Sequence, residues 1–188
     1  MLGLGNSLVG GSLSQRLIAT YTSDFSSGVD SWAANTVQGS LTLVGNQDSV
    51  GSENDWLKGT FDTDQTDGLS GIIRPDTFDD IQLGDQFSVT LKLRIISGSD
   101  HWDGSDVVST QFLPAGGDNW AALGFLGTGF QAVQDGTTAH DSGIIPIGVV
   151  YDYGDLQPQL RWSLPGDKPK AGAVFYVKDI VIKQYRTS

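Results

Sequence analysis

The segment from Gln86 to Ile96 constrains the fold more than any other. Phe87, Val89, Leu91, Leu93 and Ile95 alternate without interruption with Ser88, Thr90, Lys92 and Arg94. A period of two puts every apolar side chain on one face of a strand and every polar one on the other, whereas a helix would scatter them around its axis. One face packs on a core and the other meets water, which is the habit of antiparallel rather than parallel sheets. Further strands are expected over residues 17–22, 40–44, 56–61, 69–73, 107–112, 121–126, 144–151, 159–163 and 173–185. Turn-forming pairs punctuate them: Gly45-Asn46, Asp67-Gly68, Gly84-Asp85, Asp103-Gly104, Asp135-Gly136 and Pro165-Gly166. Helix formers are scarce. Glu53 is the only glutamate among 22 acidic residues, and aspartate favours turns and caps over helix interiors. About ten short strands divided by Gly and Asp loops predict an all-β chain, an antiparallel two-sheet jelly-roll sandwich. No fixed-period repeat points to a solenoid or propeller.

With 188 residues, 38% of them hydrophobic and 18% charged, the chain has enough apolar material for one cored domain. No run approaches the roughly 20 apolar residues that a membrane-spanning helix needs. Eleven Lys and Arg against 22 acidic residues leave a formal charge of −11, which opposes binding to a nucleic-acid backbone. The lack of cysteine excludes disulfides, thiolate metal sites and a Cys nucleophile, and leaves the redox compartment open.

Residues 1–16 depart from the strand pattern and read as an extended, Gly- and Leu-rich arm preceding a sandwich domain over 17–188. The arm lacks both the basic start and the sustained apolar run of a secretion signal. Leu2, Leu4, Leu8, Val9 and Leu13 are the partner-binding candidates. Buried on a neighbouring subunit, each would contribute roughly 1.5–3 kcal/mol; the other reading packs the arm on its own domain.

Two stretches carry a family resemblance. Asp24-Phe25-Ser26-Ser27-Gly28-Val29-Asp30-Ser31-Trp32 looks like the opening strand of jelly-roll carbohydrate-binding modules, which commonly read as an acidic or Asn residue, Phe, Glu, then Gly and Trp. Phe175-Tyr176-Val177-Lys178-Asp179-Ile180-Val181-Ile182-Lys183 is similar to their closing strand, an aromatic followed by an Asp-containing apolar run. Together they bracket residues 21–185. That family often ties its first and last strands with a structural calcium, and the matching positions are Asp24 and Asp179. Ca²⁺ takes six to eight oxygens, and the family's first acidic residue of the closing pair is here Lys178, a cation. The alternative role for Asp179 is a turn or cross-strand hydrogen bond. The arm, Met1-Leu2-Gly3-Leu4-Gly5-Asn6-Ser7-Leu8, resembles the N-termini of structural proteins from tailed-bacteriophage virions.

Sugars bind such modules by stacking on aromatic faces beside polar side chains. Trp56, Trp102 and Trp120 are the stacking candidates because each adjoins a polar, Asp- and Gly-rich loop. The other reading has them cap the sandwich ends or anchor a subunit interface. Trp32 follows the family's structural position, and Trp162 is either core or groove. Catalytic signals are weak. His101 and His140 lack a Gly-x-Ser-x-Gly context, and the many Asp pairs single out no glycosidase couple. No His-Glu-x-x-His zinc motif and no phosphate-binding Gly-rich loop occur. Asp62, Asp64 and Asp67 begin like a calcium loop, but Gly68 and the missing twelfth-position Glu depart from it.

These features predict a non-enzymatic virion protein that needs no cofactor. The resemblances imply a capsid decoration or cement protein on the virion surface, whose arm attaches to the major capsid protein or other virion proteins, with a homotrimer as the expected oligomer. The alternatives are a glycan-binding module of a tail or head fibre that contacts the host surface, and a baseplate or tail adaptor. Neither nucleic acid nor a membrane is an expected partner.

Overall fold

The computed structural model describes residues 14–36, 39–47, 54–65, 70–74, 80, 82, 85–96, 107–114, 130–131, 137–141, 145–146, 156–162 and 169–187. Twelve strands occur among them. They are β1 (Gln15–Ser23), β2 (Ala33–Asn35), β3 (Leu41–Gln47), β4 (Trp56–Phe61), β5 (Ser70–Ile73), β6 (Gln86–Ile96), β7 (Val107–Pro114), β8 (Phe130–Gln131), β9 (Thr137–Asp141), β10 (Ile145–Pro146), β11 (Leu156–Trp162) and β12 (Val174–Thr187). All pairings are antiparallel, in a seven-stranded sheet ordered β10-β6-β12-β4-β3 and a five-stranded sheet ordered β2-β5-β11-β7-β8. In the larger sheet β9 also pairs with β6, and β1 with β12. The fold is the expected all-β two-sheet sandwich.

β6 behaves as its alternation requires. Phe87, Val89, Leu91, Leu93 and Ile95 are buried and the residues between them are half-buried. Leu57, Phe61, Phe175, Val177, Ile180 and Ile182 of the same sheet join this core, and Ile72 of β5 and Leu160 of β11 meet it from the smaller sheet. The opening motif closes one edge. Phe25 is fully buried, and the Trp32 indole N–H donates to the Ser23 hydroxyl at 3.0 Å. Gln15 and Arg16, expected in the arm, are the first residues of β1 and pair with Thr187 and Arg186.

β12 changes partners part-way. Its first half pairs with β4 and its second with β1. Between Lys178↔Lys92 and Val181↔Thr90, Asp179 and Ile180 together oppose Leu91, a β-bulge in which Asp179 takes a left-handed backbone with φ 52°. At the far end Asp85, 0% exposed, accepts hydrogen bonds from Arg186 Nε (2.8 Å), Arg186 Nη2 (3.0 Å), Gln184 Nε2 (2.7 Å) and the Gln82 N–H (2.9 Å). A buried carboxylate with four donors is fully satisfied, and it pins the segment before β6 to the last strand.

Candidate functional site

The register of the larger sheet places four cations and two aromatic rings together on the face turned away from the core cluster. Cross-strand partners share a face, so one row runs Thr137, Arg94, Tyr176, Lys58, Val44 across β9, β6, β12, β4 and β3. Two residues along, Ala139, Lys92 and Lys178 form the next row, and Trp56 with its partner Gln47 continues it one step beyond the Val177↔Leu57 pair. Arg94, Tyr176 and Lys58 thus border Lys92, Lys178 and Trp56 in a block of two rings and four cations.

The rings are buried although neither belongs to the core cluster. Trp56 is 1% and Tyr176 8% exposed. They meet edge to face, with centroids 6.4 Å apart and planes at 88°, the geometry favoured by aromatic quadrupoles. The Lys178 ammonium stands 6.0 Å from the Trp56 ring centroid and donates to the Asn54 carbonyl at 2.5 Å. Lys92 pairs with Asp179 at 3.1 Å. Two donors in this block are buried without a hydrogen-bond partner, the Trp56 indole N–H and the Arg94 Nε–H. An unpartnered buried donor costs about 1–3 kcal/mol.

Trp56 therefore departs from its expected role. Its ring is 1% exposed and has no open face for a sugar to stack on, with Tyr176 against it edge to face and the Lys178 ammonium 6.0 Å from its centroid. Trp102 and Trp120 lie outside the described residues, as does His101. Trp162 falls in β11 opposite Val108 and Ser70. His140 falls in β9 opposite Leu91. Leu2, Leu4, Leu8, Val9 and Leu13 also lie outside the described residues.

The two calcium candidates do come together. Ser23 pairs with Ile180, so Asp24 follows one step beyond, level with Asp179. The donor set nevertheless does not fit Ca²⁺. The Asp24 carboxylate accepts from the Ser26 N–H (3.0 Å) and hydroxyl (2.8 Å), and Asp179 is engaged by Lys92. Those two Ser26 bonds, with a smaller contribution from the Lys178 charge, hold the Asp24 carboxyl below its ordinary value. Two carboxylates beside two ammoniums fall short of six to eight oxygens, and among the described residues no cluster of three or more metal-ligating side chains occurs. Asp62 and Asp64 are likewise used structurally, by the Thr42 hydroxyl at 2.8 Å and the Ala171 N–H at 2.9 Å.

The sequence reading passed over Arg94, Tyr176, Lys58, Lys92 and Lys178 as site residues. The signal was present in part: alternation already put Lys92 and Arg94 on one polar face, and Tyr176 and Lys178 share a face two residues apart. What the sequence lacked was the register that sets these pairs side by side.

No protein-family model and no curated protein matches this chain. Solved structures do. The CBM22-1 xylan-binding domain of Paenibacillus barcinonensis Xyn10C is similar with TM-score 0.60 at 13% identity, over 89% of this chain and 95% of that one. The C-terminal family 22 carbohydrate-binding module of Clostridium thermocellum Xyn10B follows with TM-score 0.56 at 13% identity, over 86% and 91%. A Stig cyclase from Fischerella sp. TAU, solved with an indole compound, gives TM-score 0.56 at 10% identity, over 90% and 100%. At these identities the likeness is one of fold: this chain has the β-sandwich architecture of carbohydrate-binding modules, an architecture that also serves a cyclase.

Proposed function

We propose that the protein is a non-catalytic glycan-binding module whose ligand lies across the outer face of the larger sheet, at Lys58, Lys92, Arg94 and Lys178. The row of half-buried donor side chains on that face carries this reading, since sugar hydroxyls and ring oxygens are acceptors that such groups can meet; Trp56 and Tyr176, 1% and 8% exposed, lie beneath it as support. The shape of the block agrees. Its six side chains lie on three neighbouring strands, β6, β12 and β4, which span about 10 Å at an interstrand spacing near 4.8 Å, enough for a sugar chain to cross. The likeness to xylan-binding domains adds support from fold alone, and since one fold hosts many functions the chemistry of the face is the stronger ground.

The test is affinity electrophoresis of the full chain against a panel of soluble polysaccharides. Retardation by at least one of them, lost in the double variant Lys178→Gln, Arg94→Gln with Tm measured alongside to exclude loss of fold, is the expected result. Unaltered retardation in that variant moves the site elsewhere. A decoration role on a virion rests on the sequence of the arm and has no support from the fold likenesses. Saturable co-sedimentation with stripped capsid shells, abolished by deleting residues 1–13, is the result that would establish it.

A further inference from the structure

We infer that the glycan bound at this face is a polyanion, a polysaccharide bearing uronic-acid carboxylates; the inference rests on the glycan-binding reading above and names the ligand's charge. Charge is distributed unevenly over the sheet. Of the 11 Lys and Arg in a chain of net charge −11, Lys58, Lys92, Arg94, Lys178 and Lys183 all fall on the outer face of one sheet. Asp141, opposite Thr90, Asp179 at the bulge, Asp24 level with it and Asp62 beside Thr42 are carboxylates near them. Lys92 stands directly across from Lys178, and like charges in such pairs repel. Asp179 pairs with Lys92 and Asp24 feels the Lys178 charge, whereas Lys58, Arg94 and Lys183 lie further from these carboxylates along the register.

The hydrogen-bonding inventory points the same way. Guanidinium and ammonium groups only donate, so a ligand here must supply acceptors, and an ionised carboxylate is acceptor-only and roughly doubles the strength of each such bond. Arg94 and Lys58 lie two strands apart in one row and Lys92 and Lys178 side by side in the next. Carboxylates repeated along an extended chain would meet these cations in succession.

Affinity electrophoresis in native gels containing polygalacturonate, its methyl ester or neutral xylan tests the inference, alongside Lys58→Gln, Lys92→Gln and, as a control away from the face, Lys170→Gln. Strong retardation by polygalacturonate is expected, weakened about tenfold by esterification or by the paired lysine substitutions, a change equivalent to about 1.4 kcal/mol. It should also weaken as salt is added. The Lys170→Gln protein should bind as the parent does, and Tm measured for each variant separates loss of binding from loss of fold. Equal retardation by the ester or by xylan overturns the anionic ligand and leaves the glycan-binding reading standing. Polygalacturonate binding that the paired lysine variant retains in full also overturns it. Retardation by none of the three overturns both.

Discussion

Gly59 faces the core from β4, directly opposite Phe175 of β12, and a Cβ built there would overlap the Phe175 ring. Gly59→Ala is expected to destabilise by about 1–3 kcal/mol, the usual effect of overpacking, read as a lowered urea midpoint at unchanged slope. Asp85 is a second residue on which much depends. Burial alone would raise its carboxyl, but hydrogen bonds from Arg186, the Gln82 N–H and Gln184, together with the Arg186 charge, hold it below its ordinary value of 3.8. The same contacts push the Arg186 guanidinium upward. A folded-state value lowered in this way contributes stability that is complete above the unfolded value, near pH 4, and is lost as pH falls through the folded one. Thermal unfolding should therefore show a stability difference between the parent and Asp85→Ala of about 1–3 kcal/mol at pH 7, because Arg186 and Gln184 each lose an acceptor while keeping their bonds to Asp80. The gap should narrow below pH 4. A gap independent of pH would assign the loss to packing instead.

The strands differed in how plainly the sequence announced them. β4 and β6 match their expected bounds, and for β6 the reason is that long alternation with apolar residues on one face has a single reading. β11 was expected from residue 159 and begins at Leu156; Pro158 lies in the added stretch, where β7 pairs the strand but β5 does not, so among the described residues one of its edges has no ladder that needs an N–H. β9 carries no apolar run, and its membership comes from pairing with β6 rather than from its own residues. β2 and β8, at three and two residues, are shorter than any periodicity can reveal. The site was hidden for the same reason as β9. Trp56 drew notice as a residue type, whereas its neighbours Tyr176, Arg94 and Lys178 become neighbours only through strand register. At the junction of β1 and β12, motif reading placed Asp24 and Asp179 correctly but not their chemistry, since two ammoniums stand beside them. Tm is expected to be the same after chelation and after Ca²⁺ is restored; a rise of more than about 4 °C, equivalent to roughly 1 kcal/mol or more, would show that calcium binds there.

For the whole molecule, five of the 11 cations of an acidic chain gather on one face of one sheet. Cations gathered in this way steer an anionic partner toward them, so binding should be faster at low ionic strength and the salt effect should fall mainly on the association rate. Stopped-flow or surface-plasmon measurements at two salt concentrations check this, and a salt effect confined to dissociation would contradict it. The pairing of β1 with β12 also has a mechanical side. Gln15 and Thr187 are direct partners at one end of that ladder, and in an antiparallel pair the hydrogen bonds run perpendicular to the strands. Tension applied through these two residues would load the bonds one at a time and peel β1 away like a zipper, instead of shearing the whole ladder at once. Under load between two anchors, the first strand would give way at low force while the pairs that β6 makes with β12 stay closed.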